Sequence, residues 1–328
     1  MFNISRFKDI KKREFDCEVV TPMFLGGANP KKAEMRAPSI KAVMRFWWRA
    51  LYEGENIEEM TKDEAKIFGS TEKKSSVSVT IGIQNEKATT NHLPSGKKIM
   101  VTSKGGTFPI SIIEYLAFGL LDPQKREGKY IKEHFEPNSH LKIILTFPKT
   151  IEADLMKALN AMISFGGLGS RSRNGFGSLH CDELTEFTLP KEGPLKSFTA
   201  FSKEAYLFNH FKVCDTWHDA LYEIGNVYRQ SRLNLEGIRH EWNKRALIAM
   251  PIEAKNESIP SSIRNGRHAK PYFLHVNKIS DGKYQGQILF LPYIYKSGHE
   301  DKISRFIEYK EVCKKMNEEI AKGMGGSK

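Results

Sequence analysis

Two stretches of the chain concentrate the residue types that hold phosphate. In Ser164–Ser178 (SFGGLGSRSRNGFGS), five glycines are interleaved with serines and with Arg171 and Arg173. Glycine lets the main chain take positive φ and approach an anion closely, and guanidinium groups add charge and forked donors. The chemistry expected here is phosphate capture by Gly166, Gly167, Gly169, Arg171 and Arg173. A nucleotide P-loop is excluded, because it needs Gly-Lys-Ser/Thr ahead of its helix, whereas this stretch follows a predicted helix and lacks that lysine. Leu168 and Phe176, residues of a buried type, argue against a loose turn.

The second stretch is Thr21–Tyr52 (TPMFLGGANPKKAEMRAPSIKAVMRFWWRALY). Lys41, Arg45 and Arg49 are spaced four apart, which on a helix makes one basic stripe, with Arg36 just before its start. Such a stripe can track phosphates, and free N–H groups near Ser39 and Ile40 would add an anion site. The same spacing also suits a solvated helix face, and both readings stay open here. Trp47 and Trp48 could stack bases, but adjacent helical residues point about 100° apart, and Trp47 falls on the apolar stripe expected to face the core.

Cleavage of a bound phosphodiester would need a general base and an acid. None of the ten histidines lies in either stretch, and His268, beside Arg267 and Lys270, is the leading candidate among them. Carboxylates that could converge on metal ions are nearly absent from both stretches apart from Glu34. Glu58, Glu59, Asp63 and Glu64 lie in a charge-alternating helical stretch expected to face solvent. The reading favours a binding protein without cofactors or metal.

These residues need a scaffold. Period-two alternation and β-branched runs predict strands at Phe15–Thr21, Ser76–Ile83 and Leu141–Phe147, with an extended segment at Leu179–Thr188. Apolar residues at helical spacing predict helices over Ser39–Tyr52 and Glu152–Phe165. The order fits an α+β layer of ferredoxin-like type over residues 1–190. After a linker at Pro190–Pro194, helices at Thr216–Gln230 and Lys302–Ile320 and strands at Ala246–Glu253, Tyr272–Ile279 and Gln285–Tyr295 predict a second α+β unit, residues 191–328.

Lys and Arg number 51 against 39 Asp and Glu, a net charge of +12, which if clustered attracts polyanions. The four cysteines form no CxxC pair, so reduced thiols are expected rather than a disulfide framework or zinc cluster. The N-terminal residues lack a signal-peptide apolar run and no apolar run would span a bilayer, so a cytoplasmic protein without membrane contact is expected.

Taken in order, TPMFLGG, MRAPSIKAVMRFWWRAL and GGLGSRSRNGFGS resemble the motifs of the RAMP superfamily of CRISPR proteins, and within it the family of Cmr subunit one of type III-B effector complexes. The resemblance covers about the first half of the chain. It implies two ferredoxin-like, RRM-like domains and a non-catalytic subunit of the Cmr effector in antiviral defence. Guide or target RNA and other Cmr subunits are the implied partners, at the end of the complex away from the guide 5′ handle. On that basis Arg36, Lys41, Arg45, Arg49, Gly166, Gly167, Gly169, Arg171 and Arg173 would contact RNA. The second half is similar to the family more weakly, through Arg264–Phe273 (RNGRHAKPYF) and Gln285–Pro292. Lys270 stands there where a small residue is more usual, which leaves Arg264 and Arg267 between RNA contact and solvated loop. Two alternatives remain: a free-standing, metal-independent endoribonuclease that processes guide precursors, and an architectural subunit that touches only protein.

Overall fold

Strand β1 (Ile10–Val19) buries Phe15, Cys17 and Val19, alternate residues of the face that lies on a core. The computed structural model to which it belongs describes residues 9–325 apart from 86, 90–92, 95–96, 104–105, 121–131, 185–186, 238–241, 253–258, 280–281 and 296–301. Helix α1 (Ala37–Leu51) starts with Pro in its first turn, where the missing donor costs nothing, and buries Ile40, Met44, Trp47, Trp48 and Ala50. Helix α2 (Ile57–Phe68) is capped by Asn56, whose side chain accepts from the N–H groups of Glu58 and Glu59.

The chain continues through β2 (Ser78–Asn85), β3 (Ala88–Thr89), the hairpin β4 (Lys98–Ser103) and β5 (Gly106–Ser111), α3 (Ile112–Leu116), β6 (His134–Phe135) and β7 (His140–Pro148). Helix α4 (Glu152–Phe165) and strand β8 (Leu179–His180) complete the first half. Four of these strands form one sheet in the order β2-β7-β1-β8, antiparallel throughout. With α1 and α4 packed on each other, the connectivity is β-α-β-β-α-β, with the strand order of a split βαβ unit.

The second half runs through β9 (Tyr206–Phe208), β10 (Val213–Cys214), α5 (Trp217–Leu233), α6 (Asn243–Ile248), α7 (Ser261–Arg264), β11 (Tyr272–Lys278), β12 (Tyr284–Phe290) and α8 (Lys302–Gly325). Strand β12 is central, with β11 on one side and both β9 and β10 on the other. Two large apolar cores result, and neither stops at residue 190. The first gathers Phe15, Trp47 and Leu159 with Phe273 and Leu289, and the second gathers Ile224, Tyr272 and Met316 with Phe24, Ile112 and Phe176.

The protein is a mixed α+β chain with antiparallel sheets, as expected, but several stretches differ. The strand expected at Ala246–Glu253 is instead helix α6 up to Ile248, with Glu253 outside the described residues. A short apolar run fits either element. Glu236 decides it by accepting from the N–H groups of Lys244 (3.0 Å) and Arg245 (3.2 Å), which fills free donors of the first turn. The extended Leu179–Thr188 pairs only over Leu179–His180, and α3 and the β4–β5 hairpin occupy a stretch that carried no sequence prediction. Among the described residues no helix is long and apolar enough to cross a membrane.

Candidate nucleic-acid interface

The segment between β1 and α1 is held in a tight loop by Gly26 bridging Ala33 and by Glu34 N–H donating to Leu25 O (2.9 Å). Arg36 occupies the cap of α1 in extended conformation, its carbonyl accepting from Ser39 N (3.1 Å), and its Nε lies 3.5 Å from Glu34 Oε1. Lys41 is half-buried, and its pKa is lowered by that burial and then by Arg45. It lines an open groove of about 620 Å³ together with Lys74, Ser75, Ser76 and Ser78.

Further along α1 the basic stripe meets α2. Arg45 donates through Nε to Glu64 and through Nη2 to Gly69 O (2.7 Å), while Arg49 Nε lies 3.2 Å from the other Glu64 oxygen. The Glu64 side chain is only 11% exposed, against 34% and 41% for Arg45 and Arg49. Glu64, expected to face solvent, is therefore the buried anchor of the stripe. The outer edges of Arg45 and Arg49 remain open to a ligand. Trp47 and Trp48 are both buried, Trp47 against Phe165, Phe201 and Phe273, and Trp48 against Tyr52 and Phe68. Neither ring is open for base stacking.

The glycine-rich stretch is zipped between the first loop and the second sheet. Ser170 N–H donates to Phe24 O (2.8 Å), Gly177 N–H to Pro22 O (3.0 Å), and the Thr21 hydroxyl to Gly175 O (2.7 Å). On the opposite side Leu274 N–H donates to Arg173 O (3.2 Å), and Gly166 O accepts from the His275 ring (2.8 Å). Gly169 and Gly177 have φ of +90° and +68°, and a Cβ would stand 2.4 Å from Phe24 O and 2.0 Å from Leu168 O respectively. At Gly166 and Gly167 a Cβ would meet Trp47 Nε1 and Phe176 O, each at 2.6 Å. The close approach that these four glycines serve is thus to the protein's own chain.

The arginines of the loop diverge. Arg171 is exposed, at a positive φ of 62°. Arg173 turns inward, its guanidinium 4.5 Å above the Phe273 ring and donating to Lys270 O at 2.6 Å. Where the two loops meet, Phe24, Gly26, Gly27, Pro30, Lys32, Lys132, Glu133 and Ser170 line a cleft of about 140 Å³. Lys32 Nζ lies 2.6 Å from Glu133 Oε1 and holds that carboxyl below its ordinary pKa. Lys32 and Lys132 escaped the sequence reading because nothing in their local spacing sets them apart.

Arg264 and Arg267 are exposed around the end of α7, and Arg267 Nη1 donates to Gly266 O (3.0 Å). His268 is buried, with Nε2 2.6 Å from Leu247 O and Nδ1 2.8 Å from the Tyr293 hydroxyl. Burial pushes its pKa down to about 4. Such an imidazole is engaged at both nitrogens and is not placed to serve as a base toward solvent.

The fold and the zipped loop define an α+β protein of RAMP type. The chain belongs to the RAMP superfamily, whose family model matches residues 16–180, and within it to the Cmr1 line. It is 35% identical over 193 residues to the CRISPR system Cmr subunit Cmr1-2 of Pyrococcus furiosus, an alignment that covers 53% of this chain and 97% of that protein. It is 30% identical over 195 residues to Cmr1-1 of the same organism, covering 58% of this chain and 53% of that one. Its fold is similar to the crystal structure of apo Cmr1 from P. furiosus, with TM-score 0.53, 19% identity, and coverage of 94% of this chain and 96% of the other. It is also similar to a chain in the cryo-EM structure of the type III-B Cmr-beta complex bound to cognate target RNA, with TM-score 0.51, 14% identity, and coverage of 95% and 100%.

Proposed function

We propose that this chain is a non-catalytic, RNA-binding subunit of a type III-B CRISPR (Cmr) effector, built of two RAMP units over residues 1–190 and 191–328. It holds guide or target RNA beside other Cmr subunits, at the end of the complex away from the guide 5′ handle. The observation that carries the reading is the convergence of the loop before α1 and the glycine-rich stretch, through Ser170 and Phe24, on a cleft edged by Lys32 and Lys132. Arg171 follows Ser170 on the exposed side of that loop. Relatives named as Cmr subunits, and a fold neighbour solved with target RNA, support the same reading. The three buried histidines His134, His268 and His275, each pushed down to about 4 by burial, support binding over acid–base cleavage.

The test is titration of the purified chain with labelled single-stranded RNA across salt. Neutralising about five phosphates at ~0.7 per contact gives roughly a hundredfold loss of affinity between 50 and 200 mM salt. A flat salt response, or discrete cleavage products that survive repurification, would overturn the proposal.

A further inference from the structure

Outside the motif segments a second set of cations gathers where α3, α5 and α6 meet. Arg229 and Arg232 stand three apart on α5, and Arg245 comes from α6. The Arg229 guanidinium lies over the Tyr115 ring at 5.4 Å, and Tyr115 also bonds the Arg232 side chain. Burial, and then the charges of Arg173, Arg232 and Arg171, push the Lys270 pKa well down, so repulsion from both sets of arginines meets at this lysine.

Like charges held this close repel, and a fold keeps them only when anions offset the repulsion. Among the described residues Glu236 Oε2 lies 2.8 Å from Arg245 Nε, and the Glu236 charge also acts on Arg232. The other Glu236 oxygen already accepts from the N–H groups of Lys244 and Arg245. The Arg232 Nε is buried and has no hydrogen-bond partner among the described residues, which is the condition of a donor awaiting an acceptor. Arginine is suited to this role, because its planar fork matches the oxygens of a phosphate and it stays charged when partly desolvated.

We infer that Arg229, Arg232 and Arg245 form a second phosphate site, which takes a phosphate group of the RNA strand after it leaves the glycine-rich loop. The inference rests on the RNA-binding reading above and extends it into the second unit. Tyr115 forms the floor of the site through its ring and hydroxyl, and Arg171 adds positive potential on the side of the glycine-rich loop.

The test uses the full chain with Arg229→Gln and with the pair Arg229→Gln, Arg245→Gln. Arg229→Gln alone removes a charge that has no carboxylate partner among the described residues, so it keeps the test sound if the pair unfolds. Binding of labelled single-stranded RNA is followed by anisotropy at several salt concentrations, with thermal melting as the folding control. Each lost contact should flatten the log–log salt slope by ~0.7 and lower affinity several-fold at moderate salt. Arg229→Lys should retain the slope. Strands ending in phosphate or in hydroxyl separate the two sources: an equal effect on both assigns an internal phosphodiester, and an effect confined to phosphate-ended strands assigns a terminal group. If the unmodified chain binds RNA and folded Arg229→Gln binds with the same affinity and slope, the second site is wrong while the RNA reading stands. If the unmodified chain does not bind RNA, the RNA reading itself fails.

Discussion

Arg173 and Lys270 hold each other's main chain: Arg173 Nη1 donates to Lys270 O at 2.6 Å, and Lys270 Nζ donates to Arg173 O at 2.7 Å. Two basic side chains are thus locked side by side, with Lys270 Nζ also donating to Asn174 Oδ1 at 2.7 Å and lying 4.5 Å from the Tyr228 ring centroid. Burial, then Arg173, pushes the Lys270 pKa well down. The pair joins the glycine-rich loop to the start of β11. Lys270→Met leaves the Asn174 amide oxygen without this donor and the Arg173 carbonyl with the Leu274 N–H alone, so stability should fall by ~1 to 3 kcal/mol. Urea unfolding measures it, and an unchanged midpoint would show that the lysine is dispensable to the joint.

The glycines of the loop should prove structural before they prove functional. Gly169→Ala and Gly177→Ala each add a Cβ at positive φ and against a backbone oxygen at 2.4 and 2.0 Å. A destabilisation of at least ~2 kcal/mol is expected for each. The sequence reading gives the loop's glycines to close approach of an anion, and the structure packs Gly169 and Gly177 against the main chain of Phe24 and Leu168. Melting temperatures within a degree of the unmodified chain would contradict the packing.

Arg45 and Glu64 should behave as a coupled pair. Arg45→Ala strips a buried carboxylate of one of its two arginines and frees Gly69 O, so a loss of ~1 to 3 kcal/mol is expected. Arg45→Ala with Glu64→Gln should cost less than the sum of the single changes. Additive losses in that double-mutant cycle would mean that the two side chains do not interact.

Acid should weaken the fold through three histidines. His134, His268 and His275 have folded pKa values near 4, pushed down by burial from an ordinary 6.5. Between those limits the unfolded chain binds more protons, so stability rises with pH there and is lost as pH falls from 6.5 toward 4. Each fully depressed histidine contributes a slope of about 1.4 kcal/mol per pH unit. Unfolding free energies measured from pH 7 to pH 4.5 should decline accordingly, and His275→Gln should flatten the decline. A profile level across that range would rule the mechanism out.

The sequence carried most of the scaffold because its signals are local. Helix α4 runs over Glu152–Phe165 as its apolar spacing predicts, between Pro148 and Gly166. Strand β1 starts five residues earlier than read, since Lys11, Lys12 and Arg13 on an exposed stretch do not alternate with apolar residues. What stayed hidden depends on partners distant along the chain. The period of α1 marks Trp47 as core, but Trp48 is buried by Phe68 of α2, which that period cannot show. The stripe Lys41, Arg45, Arg49 was legible, whereas the turn of Glu64 toward it was not. The need for glycine at Gly169 was visible in composition, yet the oxygen that imposes it belongs to Phe24, far back in the sequence. Arg229 lies on the helix read at Thr216–Gln230, Arg232 lies on the last turn by which α5 runs past it to Leu233, and only the placement of α6 adds Arg245 to them.

The second sheet is left one strand short by its own sequence. Its exposed flank at β11 is occupied by the parallel bridge between Asn174 and Leu274, with Val276 N–H donating to the Ser178 hydroxyl at 3.3 Å. An open strand edge invites pairing with other chains. During synthesis the ribosome delivers Ser164–Ser178 about a hundred residues ahead of β11, so the cover is in place before the edge that needs it. On that order of synthesis the first half of the chain should shield the second from pairing with other chains. Residues 191–328 made alone should aggregate, and residues 1–190 supplied in trans should restore them to solution.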